Sequence, residues 1–316
     1  MNTIEQTAKF LKEKDNFIII GHRSPDGDCT GSASALLLAL RTLGKRAKIM
    51  FPTPVTERLE FIWDKSYEEG DFSPETVIAV DVADPQMMLG LYEDVFKKAK
   101  NTVCIDHHAT NKGYADVNCV DSGASAAGEI VFQVIEQLGI NPDKQIGEKI
   151  FVAIADDTGG FQYSNTTDKT HRIAAKLYKL GIDSAEIMRL LFDTHTKAEM
   201  QLLKFVTSRM EYHLGGKVCT TWIDSHALEA SGAQMHNADA WIGLTRSSDG
   251  VEVGIMFKLI GENEIRVSLR SNKYVDVSAV ASHFGGGGHK RAAGITFNES
   301  YEQAKKKLLS ELEKLV

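Results

Sequence analysis

Long apolar runs are absent from this chain of 316 residues. No segment reaches the about 18 consecutive apolar residues that a membrane-spanning helix requires. Residues 1–16 alternate polar and apolar side chains in a helical pattern, without the apolar centre and cleavage site of a signal peptide. We therefore expect a cytoplasmic protein that does not enter membranes.

Cysteine is scarce, and its four occurrences are far apart in the sequence: Cys29, Cys104, Cys119 and Cys219. No two of them form a CxxC pair, so the sequence indicates neither a zinc–thiolate site nor a disulfide framework. We interpret all four as buried free thiols.

An excess of positive charge is also missing, since the formal net charge is −7. A protein that wraps long nucleic acid needs a broad basic face, and this composition argues against one. A small anionic substrate is compatible with the composition if local cations or bound metals neutralise it.

The chain length predicts two domains, because single cores seldom grow beyond ~250–300 residues. Before residue 184, short apolar runs alternate with helical patterns. Strands are predicted at residues 17–21, 47–51, 77–82 and 102–105, and helices at residues 31–43, 125–138 and 147–155. This alternation is typical of an α/β domain with a parallel sheet, in which ligands bind beyond the carboxyl ends of the strands.

The pattern changes after residue 184. One long helix or two are predicted up to residue 213, as in an interdomain connector. Beyond it we predict a smaller α+β domain, with strands at residues 217–223, 251–260 and 264–269 and helices at residues 276–283 and 301–315. The predicted division is an N-terminal domain, a helical linker and a C-terminal domain, at residues 1–190, 191–215 and 216–316.

Polar side chains follow the first predicted strand in the segment GHRSPDGDCTGS, residues 21–32. His22, Asp26 and Asp28 are close together there, and such a group destabilises itself unless a cation neutralises the carboxylates. The alternative is a polar turn in which one aspartate caps a helix.

Two further groups follow the third and fourth strands. Asp81 ends an apolar run and needs a partner, whereas Asp84 is better suited to capping a helix. Asp106 is followed by His107 and His108. Adjacent histidines on an extended chain point to opposite sides, so one can bind a metal while the other faces a substrate.

The segment ADDTGGFQYS places Asp157 at the end of a helix, before a glycine turn, where capping is the alternative role. Asp156 is interpreted as a residue behind the ligands or facing solvent. Together these groups form a set of oxygen and nitrogen donors that suits Mn²⁺ or Mg²⁺ better than structural zinc. The ligands suffice for two ions, which would clamp a phosphate for in-line attack.

A glycine-rich segment, FGGGGHKRAAG, covers residues 284–294. Successive glycines before His289 allow backbone N–H groups to approach an anion, and Lys290 and Arg291 add positive charge. Arg270 and Ser271 end a predicted strand upstream, where an arginine can clamp a phosphate. The alternatives are a flexible loop and a solvated surface charge.

In chain order, HxxPDGDxxGS, Asp81, DHH, DTGxF and GGGGH resemble the motifs of the DHH phosphoesterase family with its DHH-associated C-terminal domain, over nearly the whole chain. The length and layout are most similar to bacterial oligoribonucleases that also dephosphorylate 3′-phosphoadenosine 5′-phosphate (pAp). The resemblance implies a metal-dependent hydrolase that degrades short oligoribonucleotides to mononucleotides and converts pAp to AMP. It also implies an active site in a cleft between the domains, which would close over the substrate about a hinge near residues 184–215.

The resemblance implies a role for each matching residue. One ion, Mn²⁺ or alternatively Mg²⁺, would be bound by His22, Asp26 and Asp81. The second would be bound by Asp28, Asp81, His107 and Asp157, and His108 would face the scissile phosphate. The substrate would be held by residues of the C-terminal domain: Arg270, Ser271, Gly286, Gly287, Gly288, His289 and Arg291.

Other functions use similar residues. A phosphodiesterase of cyclic di-AMP, or of its linear product, is the alternative that the sequence separates least. A manganese pyrophosphatase is disfavoured by the GGGGH segment, and a processive single-strand DNA exonuclease by the chain length. A catalytically silent nucleotide-binding protein would have lost a metal ligand, and none is lost here. A monomer or a homodimer is expected.

Overall fold

The computed structural model describes residues 1–261 and 263–316, and the side chain of His289 lies outside the described part. The chain forms two compact units, residues 1–194 and 195–316. No helix in the described part has the length and apolar content needed to cross a membrane.

The first unit contains a five-stranded sheet, in the order β2-β1-β3-β4-β5. Every neighbouring pair is parallel, which confirms the predicted parallel sheet. The strands are β1 Phe17–Ile20, β2 Ala47–Met50, β3 Thr76–Val80, β4 Asn101–Asp106 and β5 Val117–Val120. All residues of β1 and β3 are buried, as expected of central strands covered on both faces.

Six α-helices accompany this sheet: α1 Ile4–Glu13, α2 Gly27–Thr42, α3 Ala127–Gln137, α4 Lys144–Asp157, α5 Asp168–Tyr178 and α6 Ser184–Met188. Helix α2 lies in the core, and Leu36, Leu37 and Leu40 are fully buried. Gly31 permits its close contact with α4, because a Cβ at this position would lie 2.4 Å from the carbonyl oxygen of Lys149.

The second unit contains a six-stranded sheet, in the order β10-β11-β9-β8-β7-β6, in which only β7 and β8 run parallel among the described pairs. Its strands are β6 Glu211–His213, β7 Val218–Ile223, β8 Val253–Gly261, β9 Glu264–Ser271, β10 Gly287–His289 and β11 Ala292–Phe297. Its helices are α7 Lys197–Ser208, α8 Ser225–Ser231, α9 Val277–His283 and α10 Tyr301–Leu312.

The structure moves the predicted ends of two helices by several residues. The predicted helix up to residue 213 ends with α7 at Ser208, because Glu211–His213 pairs with β7 as a strand. Helix α2 begins at Gly27 rather than at residue 31, because Asp26 caps its first turn. All four cysteines are buried and unpaired with one another, as predicted.

Candidate metal centre

The end of β1 and the start of α2 contribute three polar residues. Asp26 accepts a hydrogen bond from the backbone N–H of Cys29 at 3.0 Å, so the capping alternative describes its local role correctly. Its carboxylate nevertheless lies 3.6 Å from Nε2 of His22. Nδ1 of His22 is 2.8 Å from the carbonyl oxygen of Arg23, which fixes the ring and directs Nε2 towards the carboxylates.

Asp81 lies at the middle of the cluster, directly after β3. It is 2% exposed, and its φ of 58° is in the left-handed region that a non-glycine residue rarely adopts. Its Oδ2 is 3.4 Å from Nε2 of His22, and its Oδ1 is 3.6 Å from Nε2 of His107. Oδ1 is buried and has no hydrogen-bond partner among the described residues. A buried carboxylate with an unsatisfied oxygen, close to two histidine nitrogens, is suited to binding a cation.

The two histidines after β4 lie on the same side of the cluster. Their ring centroids are 4.7 Å apart, and Nδ1 of His108 is also 3.6 Å from Oδ1 of Asp81. The prediction that they point to opposite sides is therefore wrong. It assumed an extended chain, whereas β4 ends at Asp106.

His108 is oriented by residues behind it. Its Nδ1 donates to Oδ1 of Asp106 at 2.7 Å, and Oδ2 of Asp106 accepts from Nδ2 of Asn111 at 2.7 Å. Burial by itself would lower the pKa of His108, but the hydrogen bond to Asp106 and the charge of Asp81 outweigh it and raise the pKa. Asn111 was not identified from the sequence, where only its position soon after the DHH motif could have indicated it.

Asp28 links α2 to α3. Its carboxylate accepts hydrogen bonds from the backbone N–H groups of Ala127 at 2.6 Å and Gly128 at 2.9 Å, and from the hydroxyl of Ser32 at 2.8 Å. It thereby caps α3, whose own N-cap residue provides no side-chain cap. Its Oδ2 lies 3.8 Å from Nε2 of His107.

Asp156 and Asp157, at the end of α4, have different surroundings. Oδ2 of Asp157 lies 3.3 Å from Nε2 of His107, within the cluster. Asp156 instead accepts from the backbone N–H of Gly27 at 2.8 Å and from Nη2 of Arg58 at 3.2 Å. Asp157 belongs to a group of donor atoms with Asp28 and His107, whereas Asp156 belongs to none of the described groups, so Asp157 is the one that fits a metal. Arg58 was missed because it is distant in sequence from every motif.

The carboxylates of the cluster are buried close together and repel one another. Burial, and then the charges of Asp81, Asp157 and Asp26, raise the pKa of Asp28 well above its ordinary value. Burial and the charges of Asp26, Asp81 and Asp156 do the same to the pKa of Asp157. Such mutual repulsion between buried carboxylates is relieved by a bound cation.

Three overlapping groups have donor atoms within 4.8 Å of one another: His22, Cys29 and Asp81; Asp81, His107 and His108; Asp28, His107 and Asp157. Asp81 and His107 each belong to two of them, so the residues fit two neighbouring ions. Cys29 was not identified as a possible donor from the sequence. Because burial raises the pKa of its thiol to about 11, the oxygen and nitrogen donors are the better ligands.

The predicted substrate-binding residues all lie in the second unit. Arg270 is half-buried near the end of β9, and Nη1 donates to the carbonyl oxygen of Leu269 at 3.0 Å. Gly286 precedes the edge strand β10, which contains Gly287 and Gly288. A Cβ on Gly286 or Gly288 would lie 2.2 or 2.4 Å from a carbonyl oxygen of β11, so packing requires both glycines. The side chain of His289 lies outside the described residues.

Ser271 and Arg291 contact their own unit. The Ser271 hydroxyl is buried and donates to the carbonyl oxygen of Val275 at 2.7 Å. Arg291 donates to the same carbonyl at 2.8 Å and to that of Lys273. These contacts give both side chains a structural role in the loop after β9.

Two family models match this chain: "DHH family, N-terminal domain" over residues 16–156 and "DHHA1 domain" over residues 215–316. A bifunctional oligoribonuclease and PAP phosphatase of Thermus thermophilus is 32% identical, over 96% of this chain and 93% of its own length. The chain belongs to the DHH family. The Bacillus subtilis protein with the same description is 26% identical, over 95% of each chain.

A solved structure shares the DHH fold over the whole length. The exopolyphosphatase-related protein of Bacteroides fragilis superposes with a TM-score of 0.91, covers 99% of this chain and 96% of its own, and is 22% identical. This similarity therefore supports the fold of each unit and does not indicate a substrate.

Replacing Asp156 or Asp157 with alanine tests their different roles. We expect Asp157→Ala to lose a bound ion. Asp156→Ala should keep both but bind them roughly 10–100-fold more weakly, because it removes only a residue that positions the ligands. Metal titration with elemental analysis of the dialysed protein makes the comparison. Equal loss of stoichiometry in both variants would contradict the assignment.

Proposed function

We propose that this protein is a two-metal phosphoesterase that degrades short oligoribonucleotides to mononucleotides and dephosphorylates pAp to AMP. The observation that carries the proposal is the buried carboxylate of Asp81, whose Oδ2 lies near His22 and whose Oδ1, near His107, has no hydrogen-bond partner among the described residues. Relatives described as bifunctional oligoribonucleases and PAP phosphatases, similar over nearly the entire chain, support the choice of substrates.

The metal-ligand atoms of the protein indicate which ions would be bound. His22, Asp26 and Asp81 would hold one ion, and Asp28, Asp81, His107 and Asp157 the other. The mixture of imidazole and carboxylate ligands favours Mn²⁺ over Mg²⁺, which prefers oxygen donors and retains its waters. When bound, two such ions supply a water of lowered pKa and neutralise the phosphate.

The chain's own residues handle the proton and the position of the substrate. His108, with Nδ1 fixed on Asp106, would carry a proton on Nε2 and deliver it to the leaving oxygen, or stabilise charge there. Arg270, His289 and the backbone of residues 286–288 would bind a substrate phosphate. Ser271 and Arg291 would act indirectly, through the loop that they hold.

A side-by-side turnover assay with Mn²⁺ tests the proposal. The substrates are a labelled five-nucleotide RNA, a dinucleotide RNA, pAp, cyclic di-AMP and pyrophosphate. We expect stepwise loss of single nucleotides from both RNAs and release of phosphate from pAp. Preference for cyclic di-AMP or pyrophosphate would contradict the proposed substrates, and no turnover of any of them would contradict an enzymatic role.

A further inference from the structure

The loop after β9, residues 272–275, has its backbone N–H groups fully engaged. All four donate to Glu252, at 2.7 to 3.1 Å: Asn272 to its carbonyl oxygen, and Lys273, Tyr274 and Val275 to its carboxylate. Glu252 is only 3% exposed. Burial of a carboxylate is unfavourable unless donors surround it, and here the donors all come from this loop.

Two carbonyl groups of the same loop accept hydrogen bonds from a positively charged side chain. The guanidinium of Arg291 donates to the carbonyl oxygens of Val275, at 2.8 Å, and Lys273. It also contacts the Ser271 hydroxyl at 3.3 Å. A carboxylate on one side and a guanidinium on the other therefore fix the loop.

This fixed loop holds an aromatic side chain in solvent. Val275 is buried in the core, whereas Tyr274 is 53% exposed. A tyrosine on an immobile backbone offers a large flat surface, and binding to it costs little conformational entropy.

Basic residues lie close to Tyr274 along the chain. In strand β9, Arg270 lies two residues before the loop, and Lys273 is exposed within the loop. Lys290 lies close by, since its carbonyl accepts from the N–H of Val277 at 3.0 Å. Asp276 caps α9 and its carboxylate interacts with Lys290, so Arg270 and Lys273 are the cations that favour a nucleotide over a neutral aromatic ligand, on a chain whose net charge is −7.

We propose that Tyr274 is a specificity-determining residue on which a nucleobase of the substrate stacks, while Arg270 contacts a phosphate of the same nucleotide. The proposal rests on the proposed function and deepens it, because it states which part of the substrate this unit recognises. The Glu252–Arg291 pair positions Tyr274 and does not itself contact the substrate.

The test compares pAp with ribose 3′,5′-bisphosphate, which carries the same phosphates and no base. Tyr274→Ala should raise KM for pAp about tenfold, the size of one lost base–aromatic stack, and leave KM for the base-free substrate unchanged. Tyr274→Phe should retain the wild-type KM, because stacking does not need the hydroxyl. Tyr212→Ala is the matched control, since Tyr212 of β6 is equally exposed at 53%, and it should change neither KM.

A binding measurement separates this inference from the proposed function. Titration of 2-aminopurine riboside 5′-phosphate should quench its fluorescence with the wild type and with Tyr274→Phe, and not with Tyr274→Ala. Tyr274-dependent quenching without hydrolysis of pAp or RNA would overturn the proposed function alone. Equal KM changes for both substrates, or the same quenching in Tyr274→Ala, would overturn the role of Tyr274.

Discussion

Asp81→Asn should abolish turnover and leave the protein with at most one bound metal ion per chain. Asp81 is the only carboxylate that belongs to donor groups on both sides of the described cluster, with His22 on one side and His107 on the other. An amide offers one neutral oxygen in place of two oxygens that share a negative charge, so it cannot bridge two cations. We expect the rate to fall by several orders of magnitude, because a single ion cannot clamp both the attacking and the leaving oxygen.

Asparagine is the informative replacement because it tolerates the backbone at this position. The φ of 58° at Asp81 is strained for most residues, whereas asparagine adopts the left-handed region comparatively often. The variant therefore removes charge without disturbing the turn after β3, and its unfolding temperature without metal should be no lower than that of the wild type.

Asp84→Asn is the matched control for this experiment. Asp84 lies three residues further along and caps the short helix Pro85–Met88 through the N–H of Gln86, at 2.8 Å. Its replacement should leave metal content and turnover near wild-type values. Elemental analysis and the pAp assay follow both variants. Two tightly bound ions in Asp81→Asn, or normal activity, would contradict the bridging role.

The parts of this site that could be predicted follow from one topological rule. Alternating patterns predicted a parallel sheet, and parallel strands end at the same edge. His22, Asp81 and His107 each follow a different strand, so their convergence could be expected. The prediction failed at His108, where the alternation of an extended chain was applied beyond the last residue of β4.

The residues that support the ligands could not be predicted in this way. Asp28 caps α3 through Ala127, and Asp156 binds the N–H of Gly27 from the end of α4. Glu252 organises a loop about twenty residues further along the chain. Such contacts join residues far apart in sequence and have no periodic pattern. Each depends on how whole helices and strands pack, and a motif search does not detect it.

The second large effect is expected at His108. His108→Gln should lower turnover of pAp about 10²–10⁴-fold, the usual contribution of a positioned general acid or base. Both bound ions should remain, because the proposed ligands of both are untouched: His22, Asp26, Asp28, Asp81, His107 and Asp157. Asn111→Ala provides a comparison, because Asn111 acts on His108 through Asp106. This variant should lower turnover less than His108→Gln does, since it removes only a hydrogen bond to Asp106. Loss of an ion from His108→Gln would instead identify His108 as a metal ligand.

The leaving group decides whether His108 supplies a proton or only stabilises charge. Hydrolysis of pAp or RNA expels a ribose oxygen that needs a proton, whereas p-nitrophenyl thymidine 5′-phosphate expels a phenolate that is stable without one. If His108 protonates the leaving oxygen through Nε2, with Nδ1 held on Asp106, His108→Gln should be far less impaired with the nitrophenyl ester than with the natural substrates. An equal loss with every substrate would mean that the imidazolium acts on the phosphate oxygens, and the proton would then have to come from water.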